Sequence, residues 1–467
     1  MSKKRFKIAV SCFFGIQFFL LSFSIFGQSS RTAWSRADSL GTGVNLEHWL
    51  EEYWNPNYPD MNYIKEADIS LIKSLNFDHI RLSVDFGKWE DTLYPYNVNP
   101  GIFAIIDTVL AWCGKYDLKL IIDDHHGRIE QVGVYVESPR LIAAWKQIAA
   151  RFKNTNPSKV FFELYNEPLF DKNDWQLLSQ KLADTIHSIS PEHTLIIGPT
   201  KGNTVYGLLD NYVPVNDTNV IYTFHFYEPA LFTHQGALWA GAYFHITGYP
   251  FPYDSLMMPQ KDSTITSDFF GSIQYDNYPT MAISSWIKYI LGEVKNWSLQ
   301  HNVPIECGEL GTYYQSQHNY KLNWLKTITC TLDSLGIPWA HWGFKHAENT
   351  FGFIKGALPD NDSIIPGFFN SLCMTQPFLL GTDELPVKKE SELKIYPNPA
   401  NSILFIDDKF NHFNNSKITV FSIDGRVVLE SIYSQKKLNI EKLPSGLYYG
   451  KISNSEFKSF FKFIVIH

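Results

Sequence analysis

Short apolar runs alternate with longer amphipathic stretches between about Ser35 and Ser371. The short runs have the length of buried strands, and in the longer stretches apolar residues recur at helical spacing. The pattern predicts eight strands, at Gly43–Leu46, His79–Val84, Leu118–Asp123, Val160–Asn166, Leu195–Gly198, Val220–Phe226, Pro304–Leu310 and Trp339–Phe344. It also predicts helices at Ile64–Leu75, Ile102–Tyr116, Leu141–Phe152, Trp175–Ile189, Ala282–Leu299 and Leu322–Leu335.

A repeated strand–helix pattern of this length predicts an α/β fold, a (β/α)8 barrel with insertions over residues 31–378. The main alternative is a doubly wound open sheet, which normally carries a glycine-rich phosphate turn after its first strand. The glycines of Gly41-Thr42-Gly43 lie ahead of the first strand instead, so the barrel is favoured.

A second, smaller domain follows the barrel. After a polar, proline-containing linker over residues 379–390, residues 391–467 form short alternating runs. Asp424-Gly425 predicts a tight hairpin turn between two of them. The prediction is a small all-β sandwich with strands at Leu393–Tyr396, Ile403–Ile406, Ile418–Ser422, Val427–Glu430, Leu447–Ile452 and Phe457–Ile466.

The N-terminus has the features of a targeting segment. Basic residues between Lys3 and Lys7 precede an apolar run from Ile8 to Phe26. This arrangement predicts a signal peptide over residues 1–27 and therefore a secreted protein. A membrane anchor is the alternative, because the apolar run is long. No stop-transfer flank follows the run, so we expect no stable membrane span after processing.

Charge and cysteine usage narrow the function further. The net charge of −7, without a basic stripe, argues against nucleic acid as a partner. Cys12 lies in the signal peptide, and the other cysteines are widely spaced, with no CxxC pair, at Cys113, Cys307, Cys330 and Cys373. This spacing argues against a metal knuckle and permits one disulfide without indicating which. Cys307 is expected to be a small buried side chain.

Two glutamates carry the candidate chemistry. Glu167 and Glu309 each end an apolar, strand-like run. In one barrel both strands end at the same rim, so the two side chains are expected to face each other. One carboxyl to protonate a leaving group and one to attack is the equipment that cleaves a glycosidic bond. Glu163 is expected to lie too deep in its strand to join them, and Glu306, of opposite parity to Glu309, is expected to face the helices.

The longest insertion follows the sixth strand, over residues 228–280. A loop this long is usually functional or disordered, and its aromatic content argues against disorder. We predict that it forms one wall of a substrate cleft, since aromatic faces stack on sugar rings. Its aromatic residues are Phe232, Trp239, Tyr243, Phe244, Tyr249, Phe251, Tyr253, Phe269 and Phe270.

With the motifs Asn166-Glu167-Pro168 and Gly308-Glu309, the sequence over Asp38–Ser371 resembles glycoside hydrolase family 5, the cellulase family. The resemblance implies a (β/α)8 barrel and a reaction that retains anomeric configuration without a cofactor. Carried over, Glu167 is the acid/base and Glu309 the nucleophile. The implied function is a secreted endo-β-1,4-glucanase that acts on a β-linked polysaccharide, and we expect a monomer.

The same resemblance implies substrate-binding roles for six residues, Arg81, His125, Asn166, His225, Tyr227 and Trp342. Arg81, expected at the end of the second strand, would hold the nucleophile, and Tyr227 would donate to it. Asn166 would bond the sugar 2-hydroxyl, while Trp342 would form the floor beneath that sugar. The spacing of His225 and Tyr227 points both towards the barrel mouth.

Each assignment has a structural alternative. Arg81 could form only a salt bridge, His225 could be an ordinary core residue, Asn166 a helix cap and Trp342 a core aromatic. The run Asp123-Asp124-His125-His126 raises a metal hypothesis. On a strand only Asp123 and His125 of this run converge, and the first strand supplies no His-x-His, so no metal is predicted.

Residues Ser391–His467 resemble the C-terminal sorting domain of the type IX secretion system. The resemblance rests on Tyr396-Pro397-Asn398-Pro399-Ala400, Asp424-Gly425-Arg426 and Ser445-Gly446-Leu447-Tyr448. It implies the type IX secretion machinery as a partner, and release or cell-surface attachment after export. A carbohydrate-binding module is the alternative, but no planar aromatic set is evident.

Two further functions stay open from the sequence. The same residues would hydrolyse mannan, xyloglucan or another β-glycan, because loop contacts decide the sugar. A non-catalytic polysaccharide-binding barrel is the other alternative. The intact set of catalytic and binding residues argues against it.

Overall fold

The computed structural model describes residues 32–51, 59–60, 62–125, 133–356, 363–373, 393–408, 416–422, 427–433, 436–453 and 458–467. These residues form two compact units, the first ending within the described residues at 373 and the second beginning at 393. The predicted signal peptide, the linker over 379–390, the turn at Asp424-Gly425 and His126 lie outside the described residues. Within them, no helix has the length and apolar character that crossing a bilayer requires.

Eight parallel strands close into a barrel in chain order, as the sequence predicts. The closure is made by β1, which pairs with both β2 and β8. The strands are β1 Thr42–Leu50, β2 His79–Val84, β3 Lys119–Asp124, β4 Val160–Glu163, β5 Thr194–Ile197, β6 Val220–Phe226, β7 Ile305–Leu310 and β8 Trp339–His341.

Helices surround the barrel and cover its outer face. Five of the six predicted helices begin and end within four residues of the predicted positions, and the sixth, predicted at Leu141–Phe152, begins earlier, at Val134. The α-helices are 32–40, Glu66–Ser74, Pro100–Lys115, Val134–Phe152, Lys172–His187, Val205–Leu209, Ala230–Thr233, Ser263–Ser267, Phe269–Met281, Ser284–His301 and His318–Ser334. Short 3-10 turns lie at Phe86–Lys88, Ala242–His245 and Phe369–Ser371. The insertion after β6, predicted as an aromatic loop, therefore contains helices of its own.

The barrel interior has two halves of different chemistry. Its lower half is apolar and is closed from below by Ala37 and Leu40 of the helix 32–40. The strand residues of this apolar layer are Ile121, Phe161, Ile196 and Ile221. Two residues further along their strands, the same inward direction places charged or polar side chains, such as Asp123 after Ile121 and Glu163 after Phe161.

One disulfide joins Cys330, in the helix His318–Ser334, to Cys373. The sequence allowed a bridge without indicating this pair. Cys113 and Cys307 are free and buried, as expected for Cys307.

The described residues of the second unit form two antiparallel sheets, as the sequence predicts. One has the order β13-β10-β9 and the other the order β12-β11-β14-β15. Residues of both sheets, among them Leu404, Ile406, Val420 and Phe463, share one buried core. Its strands are β9 Leu393–Tyr396, β10 Ile403–Asp408, β11 Lys417–Ser422, β12 Val427–Ile432, β13 Lys437–Asn439, β14 Gly446–Ser453 and β15 Lys458–Val465. The short strand β13 was not predicted.

Candidate active site

The two predicted glutamates meet at the carboxyl-terminal mouth of the barrel. Glu309 lies in β7, and Glu167 lies in the loop that follows β4. One oxygen of Glu167, one ring nitrogen of His225 and one oxygen of Glu309 lie within 4.8 Å of one another. Glu167 has a φ of 47°, a left-handed conformation that non-glycine residues adopt infrequently and that recurs at functional sites.

Glu309 is held by donors on both of its oxygens. Its Oε1 accepts a hydrogen bond from Arg81 Nη1 at 2.7 Å, and its Oε2 accepts one from the Tyr227 hydroxyl at 2.8 Å. His225 Nδ1 lies 3.4 Å from the same Oε2. Burial raises the pKa of Glu309 above its usual value, while the positive charge of Arg81 and the hydrogen bond from Tyr227 limit that rise. Donors aimed at both oxygens favour the ionised carboxylate.

Glu167 has a different environment. Its side chain is 41% exposed, and its Oε1 lies 2.7 Å from His225 Nδ1. Although the cleft is open to solvent, the carboxyl lies deep enough in the protein that desolvation raises the pKa of Glu167 to about 7. Glu163 adds to this rise and Arg81 opposes it. The two carboxyls therefore have different environments. Such a difference allows one carboxyl to stay protonated as an acid while the other is ionised as a nucleophile.

His225 links the two glutamates as a neutral ring. Burial lowers its pKa to about 4. Its Nε2 lies 3.4 Å from Asn203 Nδ2, a donor, so the hydrogen-bond network assigns the ring proton to Nδ1. Nδ1–H therefore donates to Glu167 when that carboxyl is ionised.

Arg81 differs in position from the prediction. It is not at the end of β2 but at the third residue of the strand, and it is fully buried inside the barrel. Its five N–H donors each have an acceptor. Nη1 donates to Glu309 and to Asn45 Oδ1 at 2.9 Å. Nε donates to Glu163 Oε2 at 2.6 Å, and Nη2 donates to Glu163 Oε1 and Asn166 Oδ1, both at 2.9 Å.

His125, Asn166 and Trp342 form the opposite side of the mouth. The His125 and Trp342 rings stack, with centroids 5.2 Å apart and planes 6° apart. His125 Nδ1 lies 2.7 Å from Asp123 Oδ2, and its Nε2 lies 3.4 Å from Asn166 Nδ2. Burial lowers the pKa of His125 well below its usual value, so the ring is neutral. Trp342 follows the last residue of β8 and is only partly buried, which places it at the mouth and not in the barrel core.

Glu306 does not face the helices, and that prediction is wrong. In the β6–β7 pairing, Thr223 is opposite Glu306 and His225 is opposite Glu309, so Gly308 is an extra residue in β7. A bulge of this kind restores both glutamates to the same inward face. A Cβ at Gly308 would lie 2.7 Å from Thr223 Oγ1, so this close approach requires glycine.

The strand that carries Glu163 is shorter than predicted. β4 ends at Glu163, not at Asn166, and the chain then leaves the strand direction. The side chain does not reach the mouth, yet it is joined to the site through Arg81. Neither Glu163 nor Asn45 was predicted from the sequence as part of the site. Asn45 pairs in register with Arg81 on the neighbouring strand, a relation that only the structure shows.

Aromatic residues from three loops extend the mouth on one side. The Tyr227 ring lies 5.1 Å from His234 and 5.7 Å from Phe351, measured between ring centroids. Trp239, 68% exposed, lies 5.8 Å from His234 and 6.2 Å from Tyr313. The insertion after β6 thus contributes Trp239 to a continuous aromatic surface that begins at Tyr227.

Among the described residues, one group of three has the spacing of metal ligands, namely Glu167, His225 and Glu309. Asp123 and His125 of the acidic and histidine-containing run are not in this group. Asp123 Oδ2 lies 2.7 Å from His125 Nδ1 and 3.1 Å from Arg81 Nη2, so that oxygen is engaged by nitrogen partners.

Comparison with known families gives two matches. Residues 37–348 match the family described as cellulase, glycosyl hydrolase family 5. Residues 394–466 match the secretion system C-terminal sorting domain.

Curated relatives include Endoglucanase 3 from Fibrobacter succinogenes, 30% identical over 336 residues that cover 65% of this chain and 49% of that protein. The chain thus spans about half the length of this relative. Endoglucanase C from Acetivibrio thermocellus is 27% identical over 327 residues, which cover 66% of this chain and 92% of that protein. Cellodextrinase A from Ruminococcus flavefaciens is 28% identical over 308 residues, which cover 63% of this chain and 82% of that protein.

Solved structures with the same architecture include a hyperthermophilic endo-beta-1,4-glucanase in complex with substrate. It superimposes with a TM-score of 0.58 at 25% identity, covering 73% of this chain and 98% of that one. Cel5A from Thermotoga maritima in complex with cellobiose gives a TM-score of 0.58 at 25% identity, over 69% of this chain and 94% of that one.

Proposed function

This chain belongs to the cellulase family, glycosyl hydrolase family 5, and we propose that it hydrolyses β-1,4-linked glucan internally by retaining double displacement. Membership in the family makes it a glycosyl hydrolase. The observation that carries the finer proposal is the approach of Glu167 and Glu309 to within 4.8 Å. Retaining enzymes place their carboxyls about 5–5.5 Å apart, whereas inverting enzymes leave room for a water molecule.

In the first step Glu309 attacks the anomeric carbon and Glu167 donates its proton to the departing glycosidic oxygen. Arg81 and Tyr227 hold the two Glu309 oxygens and fix the attacking direction. With a pKa near 7, Glu167 keeps its proton over the mildly acidic range, while the donors on both Glu309 oxygens favour the ionised form of Glu309. The products are a glycosyl ester on Glu309 and a free sugar hydroxyl.

In the second step Glu167, now ionised, removes a proton from water, and the water displaces Glu309 from the anomeric carbon. The Nδ1–H of His225 stabilises this ionised form through its contact with Glu167 Oε1. Asn166, oriented by Arg81, presents its amide to the sugar 2-hydroxyl, and Trp342 supplies a stacking face. Configuration is retained because two inversions occur.

The substrate class rests on the rim and on the relatives. The aromatic surface from Tyr227 to Trp239 suits successive sugar rings of a chain. Endoglucanases recur among the relatives, which favours β-1,4-glucan over mannan or xyloglucan. The aromatic surface that continues to the exposed Trp239 favours internal cleavage of long chains.

Export is the proposed route to this substrate. The C-terminal unit is a type IX sorting domain, which indicates secretion with release or surface attachment. We propose the type IX machinery as its partner. Fusing residues 391–467 to a periplasmic reporter tests this in a host with the pathway, and retention of the reporter in the periplasm would contradict it.

Product analysis on a panel of β-glucans, mannans and xyloglucan tests the activity. We expect cello-oligosaccharides of mixed length from β-1,4-glucan, released first as the β-anomer in nuclear magnetic resonance spectra. Glu167→Gln and Glu309→Gln serve as inactive controls. Initial release of the α-anomer would contradict double displacement, and normal turnover by Glu309→Gln would contradict its role as nucleophile.

A further inference from the structure

A buried carboxyl below the catalytic mouth, Glu163, is not explained by the proposed chemistry. It is the last residue of β4 and has no exposed surface. Both of its oxygens accept from Arg81, at 2.6 Å from Nε and 2.9 Å from Nη2. This is the two-point fork geometry between a guanidinium and a carboxylate, which fixes the plane of the guanidinium as well as its position.

The remaining donors of Arg81 reach the reaction site directly. With Nε and one Nη2 proton committed to Glu163, the other Nη2 proton points at Asn166 Oδ1 and one Nη1 proton at Glu309 Oε1. A rotation of the guanidinium plane would break both contacts together, since a guanidinium is rigid. The orientation set by Glu163 is therefore transmitted to the nucleophile and to the amide beside the acid/base.

Glu163 also has an electrostatic link to the acid/base. Its negative charge raises the pKa of Glu167. Besides Glu167, the charged and titratable groups that interact with Glu163 are Arg81 from β2, Asp123 from β3, His225 from β6 and, on β7, Glu306. Among them Arg81 alone makes hydrogen bonds to its carboxylate.

We propose that Glu163 is a positioning residue of the hydrolase reaction, which locks Arg81 in the one plane from which it contacts Glu309 and Asn166 at once. The inference rests on the proposed function and deepens it. It assigns a role to a side chain that does not touch the substrate and that positions the reacting groups through Arg81.

The chain offers a matched control in Glu306. This glutamate is equally buried in the same barrel interior, and neither of its oxygens has a hydrogen-bond partner in the described structure. Glu306→Gln removes a buried carboxyl from the barrel interior without removing a contact to Arg81. It separates the loss of the fork from the general effect of changing a buried acid.

The test measures kcat, KM and the pH profile of the full-length protein on a soluble aryl cellobioside. Glu163→Gln is expected to lower kcat ~100-fold with KM changed less than about threefold, because misplacement by about 1 Å is enough for that loss. Its alkaline limb should move to lower pH, because Glu167 no longer has the negative charge nearby. Glu306→Gln should retain kcat at pH 6 within about threefold of wild type, because Glu306 makes no hydrogen bond to Arg81.

A second variant, Glu163→Asp, allows the inference to be tested even if Glu163→Gln folds poorly. Glu163→Asp keeps the charge but withdraws it by one methylene, so kcat should fall while the alkaline limb stays in place. Wild-type kcat in Glu163→Asp, an unmoved limb in Glu163→Gln, or an equal loss in Glu306→Gln would each overturn the inference. If Glu309→Gln is inactive in the same assay, such an outcome removes the role of Glu163 and leaves the proposed function intact.

Discussion

The upper and lower halves of the barrel interior are built from the same strands but have opposite chemistry. The lower layer, with Ile121, Phe161 and Ile221, is a sealed apolar core. Two residues further on, the upper layer presents Asp123, Glu163 and other polar groups around Arg81. Because the side-chain period along a strand is two, one step of that period is enough to pass from a stabilising layer to a reacting one.

Stability and reactivity come from different layers of the barrel interior. Burial of the lower layer stabilises the fold, since apolar surface leaves water. The upper layer places several carboxyls around one guanidinium, and burial raises the pKa of Asp123 and of Glu167 to about 7 each. Retaining ionisable groups in such a place costs stability. We interpret that cost as the consequence of holding two carboxyls in different protonation states at one mouth.

The largest effect is expected in the upper layer, at Glu167. Glu167→Gln should lower kcat for a natural glucan by ~1,000-fold, since general acid catalysis contributes about 100–10,000-fold. In the wild type kcat/KM should fall above about pH 7, where Glu167 loses the proton it must donate. Rate measurements between pH 4 and 9 check both points. A wild-type alkaline limb in Glu167→Gln would show that another group is the acid.

The lower layer should respond in stability and not in turnover. Ile221→Ala should reduce the free energy of unfolding by about 2–5 kcal/mol, because it leaves a cavity in a closed core. Denaturant unfolding followed by fluorescence measures this change. At a temperature where the variant is folded, kcat should stay within about threefold of wild type. A loss of turnover as large as that of Glu167→Gln would remove the distinction between the layers.

Replacing Glu306 measures how much the free energy of unfolding depends on an ionisable group buried in the barrel. Burial raises its pKa to about 8, so the folded protein holds its proton over a range in which the unfolded chain has lost it. Stability from this group is present below the unfolded pKa and is lost as pH rises towards 8. Glu306→Gln lacks that loss, so its stability relative to wild type should increase by up to about 1.4 kcal/mol per pH unit between pH 5 and 8.

Thermal unfolding of both proteins at matched pH values gives the difference directly, because other groups cancel in the comparison. A difference that is constant with pH would mean that Glu306 titrates near its ordinary value in the folded state.

The smallest effect is expected at the rim, outside both layers. Trp239→Ala should raise KM for long glucans about 3- to 10-fold, the range of an aromatic stacking contact, and leave aryl cellobioside hydrolysis unchanged. Tyr289, 63% exposed on the helix Ser284–His301, supplies a matched exposed aromatic for control, as Tyr289→Ala. Equal changes in KM on both substrates, or equal changes in both variants, would show that Trp239 does not bind the glucan chain.

Much of this structure could be predicted from the hydrophobic periodicity and from the residues at which the predicted strands end. The eight barrel strands, the β-sandwich and the meeting of Glu167 with Glu309 all follow from where apolar runs begin and end. The prediction that Glu306 faces the helices assumed strict alternation of side chains along β7. A bulge at Gly308 adds one residue to the strand, and no alternating sequence pattern reveals it. Bulges depend on a close approach to the neighbouring strand, here at Thr223, and are therefore a tertiary property.

The residues that hold Arg81 in place also could not be predicted from the sequence. Asn45 and Glu163 are far from each other in the chain, and only barrel closure brings them to the same guanidinium. Arg81 was expected at a strand end and lies inside the barrel instead, because its charge is fully compensated there. Counterions of this kind are decided by three-dimensional packing.

The most direct test of the central claim is to trap the covalent intermediate. Incubation with a 2-deoxy-2-fluoro cellobioside bearing a good leaving group slows both steps and the second more, so the glycosyl ester should accumulate. Mass spectrometry of the digested protein should then find one added fluoroglycosyl group, on the peptide that contains Glu309. An adduct on the Glu167 peptide, or turnover with no adduct on any peptide, would contradict the account.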